Sequence, residues 1–246
     1  MNVSIIPIKI RSIDYRGGKN LASYLIYFAI ILLLPLYAQM KVKRTYKKYS
    51  KVRSTSGMTG AQVARTILDA NGLADVQVVE SRGFLSDHYN PMTKIVALSS
   101  HNFHEASVAG SAIAAHEVGH AIQHKESYSF LNLRHKLVPV ANISSNASWV
   151  FIMIGMIASF PNLMLIGIVL LAAGVVFQIV TLPVEFNASS RAMDQMVSHG
   201  IIRNEEERHA KKVLSAAALT YVAATAVAVL ELLRLVLIYT GMSRND

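Results

Sequence analysis

Three long hydrophobic stretches dominate the pattern of apolar and polar positions along the chain. Leu21 to Met40 is free of charge, 48 uncharged residues lie between Lys136 and Glu185, and a last stretch runs from Val213 to Thr240. A membrane-spanning helix needs about 20 apolar residues at a rise of about 1.5 Å each. The first and last stretches each predict one span. The middle stretch would extend about 72 Å as a helix and predicts two.

Local signals divide and bound these helices. Helix breakers and cap formers at 159–162 predict a tight turn between the second and third spans. Pro35 is expected to kink the first span. Glu185 ends the uncharged stretch and is predicted to open a separate short helix, and Asn204 is predicted to cap the last one. The chain is therefore expected to be mainly α, with about four membrane helices.

The more polar region 41–136 predicts a small α+β domain. Thr59 can cap an amphipathic helix whose apolar positions share one face. The segment 87–91, with the sequence DHYNP, is rich in turn-forming residues. Its Asp87, His88 and Tyr89 can line a cleft, although turn formation is the simpler role. The remaining predicted elements are strands over 76–79 and 94–98 and a helix over 106–124.

The composition supports a membrane protein and excludes several other classes. Hydrophobic residues make up 52% and charged residues 16%, and the mean hydropathy is +0.37; soluble domains carry roughly 25% charged residues. Cysteine is absent, which excludes disulfides and thiolate metal ligands. In a soluble protein the net charge of +9 would suggest nucleic-acid binding. Here lysine and arginine flank the apolar segments, so we expect a lipid bilayer and no nucleic acid as partner.

The distribution of basic residues predicts the orientation in the cell membrane. Segments 41–136 and 185–212 hold 18 of the 24 lysines and arginines, so the positive-inside rule places both in the cytoplasm. Two crossings separate them, which is consistent with one shared side. The predicted organisation is an N-terminal extension over 1–20, a transmembrane helix over 21–40, a zincin-like domain over 41–136, two transmembrane helices over 137–184, a ligand helix and cytoplasmic segment over 185–212, and a last transmembrane helix over 213–240.

The sequence HEVGH, from His116 to His120, carries the candidate chemistry. On a helix, positions i and i+4 share one face, so both imidazoles can bind one zinc ion. Glu117 can act as the general base on a zinc-bound water, whose pKa falls toward about 7. From nine His and nine Glu, about 0.012 chance HExxH matches are expected. The alternative is a polar helix face with solvated histidines, but Ala106 to Ala115 before it are mostly small and apolar.

Zinc needs a third protein ligand, and two residues compete for the role. His124 follows His116 by eight residues, about 12 Å along an unbroken helix, which is too far for one ion. Glu185 lies at the end of an apolar span, where a lone carboxylate is costly unless it is solvated or paired. We predict His116, His120 and Glu185 as the zinc ligands; the simpler alternative for Glu185 is an interfacial residue in headgroup water. Glu231 and Arg234, inside the last span, are expected to neutralise each other.

From about Leu21 onward the chain resembles the YugP-like neutral zinc metallopeptidases of bacterial membranes. The matching blocks are KVKRTYKKYSKVRSTSGMTG after the first span, the DHYNP turn, AAHEVGHAIQH and LPVEFNASSRAM. The resemblance implies that His116 and His120 bind zinc and that Glu117 is the catalytic acid/base. The layout is similar to that of gluzincin membrane peptidases, whose third ligand is the glutamate of an E-x-x-x-D helix. Glu185 matches that glutamate, but Ser189 stands where the aspartate is expected, and Asp194 is a possible substitute.

These observations predict a membrane-embedded zinc metallopeptidase that hydrolyses peptide bonds of a protein or peptide substrate, with a membrane-associated substrate expected. A second hypothesis is a membrane scaffold or quality-control adaptor that keeps a zinc site without turnover. A transporter is a weaker third hypothesis, since the spans show no clear ionisable pathway or inverted repeat. Neither the oligomeric state nor the substrate sequence follows from the residues.

Overall fold

The computed structural model describes residues 16–242 of the 246. Most of this range is helical, with one small three-stranded sheet. Residues 1–15 of the predicted N-terminal extension lie outside the described range, and the first helix begins at Arg16. In chain order the elements are α1 (Arg16–Tyr49), α2 (Gly60–Ala70), β1 (Gln77–Ser81), β2 (His88–Asn90), β3 (Ile95–Ser99), α3 (Ser100–His104), α4 (Val108–Lys125), α5 (Ser129–Ile157), α6 (Pro161–Ser198) and α7 (Glu205–Met242).

Four of the described helices are long and apolar enough to cross a membrane, as the hydrophobic pattern predicts. They are α1, α5, α6 and α7. Each extends beyond its apolar core: α1 continues from the predicted end at Met40 to Tyr49, and in this part the four lysines and Arg44 are exposed, whereas Tyr46 and Tyr49 are buried. The four helices are therefore longer than their apolar cores, and their ends contribute to the polar part of the molecule.

The prediction that Glu185 opens a new helix is wrong. α6 runs without a break from Pro161 to Ser198 and contains Pro183. A proline inside a helix removes one backbone donor and usually bends or ends the helix. Val180 and Val184, on either side of Pro183, are buried in the helix packing, and this packing keeps the helix continuous. Glu185 is consequently carried on the same helix as a membrane span.

The small sheet and α2 pack on one side of α4. β1 pairs in parallel with β3, and β2 pairs antiparallel with β3 at the edge of the sheet. The predicted strands over 76–79 and 94–98 are confirmed by β1 and β3, whereas β2 lies inside the segment predicted as a turn. The three residues of β2 are too few to show an alternating pattern in the sequence. The predicted cap of α2 is present: Thr59 and Gln62 form a reciprocal capping box.

The start of α7 differs from its predicted cap. Asn204 has a φ of 52°, whereas an N-cap residue has an extended backbone. The buried carboxylate of Glu206 instead accepts hydrogen bonds from the backbone N–H of Arg203 at 3.2 Å and of Thr55 at 2.8 Å. These bonds fasten the loop after α1 to the first turn of α7.

An ion pair inside the apolar region joins α7 to α1. Arg234 donates to Glu231 one turn earlier on α7, so the predicted pair is confirmed. The hydroxyl of Tyr27 on α1 also donates to Glu231, and the Arg234 guanidinium lies 5.4 Å from the centre of the Tyr27 ring. A carboxylate at this depth is costly unless it is compensated, and these contacts supply the compensation.

α4 and α6 approach closely at one glycine. A Cβ atom on Gly119 would lie 2.6 Å from the carbonyl oxygen of Ala188 on α6. The obstacle is backbone, so a side chain at this position requires the two helices to separate. The absence of a side chain at Gly119 sets the distance between α4 and α6.

We therefore expect Gly119→Ala to destabilise the protein. Overpacking of a close contact costs about 1–3 kcal/mol, because backbone and neighbouring side chains must shift. The matched control is Gly174→Ala on α6, where no atom lies within 4 Å of the added Cβ. The measurement is the midpoint of thermal unfolding in one detergent for the wild type and both variants. Equal midpoints for Gly119→Ala and Gly174→Ala would contradict the close packing.

Candidate metal centre

Three side chains from α4 and α6 converge at the contact between these helices. His116 and His120 project from successive turns of α4, and Glu185 projects from α6 between them. One potential ligand atom of each lies within 4.8 Å of the others. Among the described residues these three form the group that can hold a metal ion. The structure therefore brings together the three residues predicted as ligands.

Glu185 provides an oxygen that faces both histidines. Its Oε2 lies 3.3 Å from His116 Nε2 and 3.6 Å from His120 Nε2, and the side chain is 2% exposed. The same Oε2 is buried without a hydrogen-bond partner in the structure. Its second oxygen, Oε1, lies 3.4 Å from Nη1 of Arg134 on α5. A buried carboxylate oxygen without a hydrogen bond is costly, which indicates that its partner is a cation.

The spacing of the donors fits zinc. Zinc binds His nitrogen and carboxylate oxygen at about 2.0–2.2 Å in tetrahedral sites, so neighbouring donors lie about 3.3–3.6 Å apart. Both nitrogen–oxygen distances to Glu185 fall at that value. Two imidazoles and one carboxylate are three protein ligands, which leaves a fourth position for a reacting molecule, as in catalytic zinc sites.

Hydrogen bonds on the far side of the His120 ring fix its tautomer. Gln123 Nε2 donates to the backbone oxygen of Val184 at 2.8 Å and to Asn187 Oδ1 at 2.9 Å. The amide of Gln123 is thereby oriented so that Oε1 faces His120 Nδ1 at 3.0 Å and accepts a hydrogen bond from Nδ1–H. His120 therefore presents the lone pair of Nε2 toward Glu185, which is the form needed to bind a metal.

His116 has a comparable partner in Ser189. The Ser189 hydroxyl lies 3.2 Å from His116 Nδ1 and can accept a hydrogen bond from Nδ1–H, which again leaves Nε2 for a metal. This is the position where the E-x-x-x-D pattern predicts aspartate. Asp194, the suggested substitute, is exposed and so cannot act as a buried partner of these rings. A neutral hydroxyl takes the place of the expected carboxylate.

Burial and charge act in opposite directions on His120. Burial disfavours its charged form, but interaction with Glu185 and the negative charges of Glu117 and Glu185 outweigh burial, so the pKa of the imidazole is raised. The group thus favours a positive charge at the centre of the three side chains.

Glu117 and several polar side chains surround a cavity of about 170 Å³ above these residues. Glu117 follows His116 on α4 and is 9% exposed. His124 lies outside the group: its Nδ1 is 2.9 Å from the hydroxyl of Tyr89 on β2. The other lining residues are Asp87, His88, Tyr89, Pro91, Leu131, Arg134, His135 and Tyr221.

Residues 87–89 thus line the cleft, contrary to the expectation that they mainly form a turn. Asp87 accepts hydrogen bonds from the backbone N–H of Ser99 at 2.8 Å and from Asn102 Nδ2 at 3.0 Å. These bonds hold the segment before β2 against the start of α3. The carboxylate of Asp87 therefore stabilises the wall of the cavity through these hydrogen bonds.

Five polar residues of the site were not predicted from the sequence. Gln123 follows His120 by three positions and Ser189 follows Glu185 by four, so helical spacing alone places each on the ligand face. Arg134 and His135 stand just before an apolar stretch and resemble flanking charges. Tyr221 lies within a predicted span and resembles any other membrane aromatic, so no signal in the sequence indicates its role.

Removing the partner of His120 should weaken metal binding. In Gln123→Leu the side chain keeps a similar size but can no longer accept the His120 proton. Loss of such a partner typically costs 10–100-fold in metal affinity. The measurement is zinc affinity by competition with a chelator. The control is Gln77→Leu, at an exposed position at the start of β1; equal zinc affinities of the two variants would contradict the role of Gln123.

Comparison with known proteins agrees with this geometry. Residues 24–240 match the family described as "Putative neutral zinc metallopeptidase". The chain is 53% identical over 213 residues to the "Putative membrane protease YugP" of Bacillus subtilis (strain 168), covering 86% of this chain and 95% of the relative. No solved structure matches. The family model covers nearly all of the described chain and the relative is similar almost from end to end, so this membrane protein belongs to the neutral zinc metallopeptidase family, with a His–His–Glu group placed to bind the metal.

Proposed function

We propose that the protein is a membrane-embedded zinc metallopeptidase that hydrolyses peptide bonds. The observation that carries the proposal is the buried Oε2 of Glu185, which faces Nε2 of His116 and of His120 and has no hydrogen-bond partner. Glu117 stands next to this group, at a cavity large enough for part of a peptide. A catalytic base beside an incompletely coordinated metal is the arrangement that peptide hydrolysis requires.

The residues divide the chemistry between them. His116, His120 and Glu185 would hold the ion, which supplies Lewis acidity toward a water molecule and a carbonyl group. Glu117 would accept the proton of the attacking water as its oxygen bonds to the carbonyl carbon. When the carbon–nitrogen bond breaks, Glu117 would return that proton to the leaving amine. One proton of the water thus passes through Glu117 to the amine, and the other stays on the new carboxyl group until solvent removes it.

Further groups can stabilise charge that develops on the carbonyl oxygen. Arg134, His135 and Tyr221 all line the cavity and offer N–H or O–H donors. Arg134 also lies 3.4 Å from Oε1 of Glu185, so its guanidinium holds that oxygen away from the histidines. Donors fixed in place before the reaction act strongly in a site that excludes water.

The helix lengths support a site at the membrane surface. Glu185 lies 24 residues after Pro161, about 36 Å along α6, which exceeds the hydrocarbon thickness of about 30 Å. With the basic segments 41–136 and 185–212 in the cytoplasm, this end of α6 faces inward. The zincin-like domain over 41–136 would then lie at the cytoplasmic surface, and a membrane-associated protein or peptide would be the substrate.

Glu117→Gln tests catalysis separately from metal binding. The variant should retain stoichiometric zinc, since all three ligands remain, and should lose at least about 10²-fold in peptide hydrolysis because the proton acceptor is gone. Zinc content and cleavage of a peptide library are measured on purified protein in detergent. Comparative proteomics of cells with wild type or Glu117→Gln would identify the substrate as a protein that accumulates. Unchanged hydrolysis in Glu117→Gln would contradict the role of Glu117, and no hydrolysis by the zinc-loaded wild type would favour a zinc-containing scaffold instead.

The orientation can be tested by cysteine labelling, because the chain contains no cysteine. Ser159→Cys lies in the exposed turn between α5 and α6, and Met92→Cys replaces a side chain that is 91% exposed between β2 and β3. A membrane-impermeant maleimide should label Ser159→Cys in intact cells and Met92→Cys only after permeabilisation. The opposite pattern would invert the proposed orientation.

A further inference from the structure

A second cavity of different character adjoins the cavity above the metal ligands. This second cavity, called here the apolar arm, measures about 170 Å³. It shares His116, Glu117, Asp87 and Tyr221 with the first cavity. When the scissile bond of a substrate peptide lies beside His116 and Glu117, one of the neighbouring substrate side chains can therefore reach the apolar arm.

Apolar side chains of α1, α4 and α7 form most of the wall of the apolar arm. Val42 comes from α1, Ile113 from α4, and Leu214 and Ala217 from α7, with Leu85 from the segment before β2. Leu214 is buried, and the other four are half-buried. Most of the wall is therefore formed by packed side chains on helices. Ligand pockets of this kind bind apolar groups and use a few polar groups for orientation.

Tyr46 and Asp87, the polar residues of the apolar arm that lie away from the metal ligands and Tyr221, already have partners in the protein. The hydroxyl of Tyr46 donates to Asn102 Oδ1 at 3.0 Å, and the Asp87 carboxylate accepts from Ser99 and Asn102. A charged or strongly polar side chain that packs against the apolar part of the arm would lose water and find no free partner there. Such burial is unfavourable, whereas an apolar side chain gains from it.

The volume of the apolar arm limits the size of its occupant. An apolar cavity of about 150 Å³ in another protein is large enough to bind benzene. A space of about 170 Å³ therefore accommodates the side chain of leucine, methionine or phenylalanine. A methyl group would leave most of the wall without contact.

We propose that the apolar arm is a specificity subsite that binds a large aliphatic or aromatic side chain of the substrate, next to the bond that is cleaved. The proposal rests on the proposed peptidase function and adds a substrate class to it: peptides with leucine, methionine or phenylalanine at one fixed position beside the scissile bond.

Two measurements test the subsite, and one of them does not require turnover. A proteome-derived peptide library is digested with zinc-loaded protein, and cleaved bonds are mapped by mass spectrometry. In parallel, binding is measured for peptidyl hydroxamates, which chelate zinc, that differ only in an isobutyl, benzyl, methyl or carboxymethyl side chain. We expect enrichment of large apolar residues at one position beside the cleaved bond. We also expect isobutyl or benzyl hydroxamates to bind at least about 10-fold more tightly than the methyl compound.

Ala217→Phe fills the arm and should abolish both preferences, while the methyl hydroxamate still binds. The matched control is Ala224→Phe, which adds the same ring at an exposed position two turns further along α7 and should keep the wild-type profile. Ala217→Leu is a smaller replacement for use if Ala217→Phe does not accumulate.

The outcomes separate the subsite from the peptidase function. Hydroxamate selectivity without any peptide cleavage would support the subsite and overturn the proposed function. Cleavage with no apolar enrichment, together with equal affinities for all four hydroxamates, would overturn the subsite and leave the peptidase function standing. Selectivity that persists in Ala217→Phe would also overturn the assignment of the subsite to the apolar arm.

Discussion

The fold depends on the compensation of one buried negative charge. The Glu185 carboxylate is almost fully removed from solvent, and an isolated ionised carboxylate in such a place costs several kcal/mol. Arg134 approaches one of its oxygens and the two imidazoles face the other. Because these groups come from α4, α5 and α6, the three helices must pack together before the charge is compensated. The stability of the metal centre and the packing of the three helices therefore depend on the same contacts.

Close packing and hydrogen bonds together hold α4 against α6. Gly119 lets α4 approach α6 until its backbone nearly touches that of Ala188. At that distance Gln123 reaches the backbone of α6, and Ser189 reaches the ring of His116. Each imidazole is then held through Nδ1 and offers Nε2 to the centre. The same contacts that stabilise the helix pair also select the chemical form of the ligands.

Local patterns in the sequence predict the parts of this arrangement that depend on short spacing. Helical periodicity places His116 and His120 on one face, and the end of an apolar run singles out Glu185. The continuity of α6 through Pro183 is not predictable in this way, because buried neighbours outweigh the helix-breaking signal. Strand β2, Arg134 and Tyr221 join the site through tertiary contacts between distant segments. Nothing in the sequence around them distinguishes these residues from a turn, a flanking charge or a lipid-facing aromatic.

Because α6 is one unbroken helix, the thickness of the bilayer can affect the position of the Glu185 ligand. A stiff rod that carries a ligand about 20 Å beyond the middle of its span acts as a lever. A change of about 3° in the tilt of α6 relative to α4 moves the Glu185 carboxylate by about 1 Å relative to the two histidines. A shift of this size matters for a metal site. Lipids or detergents that alter this tilt would change how completely the zinc ligands assemble, with no residue of the site altered.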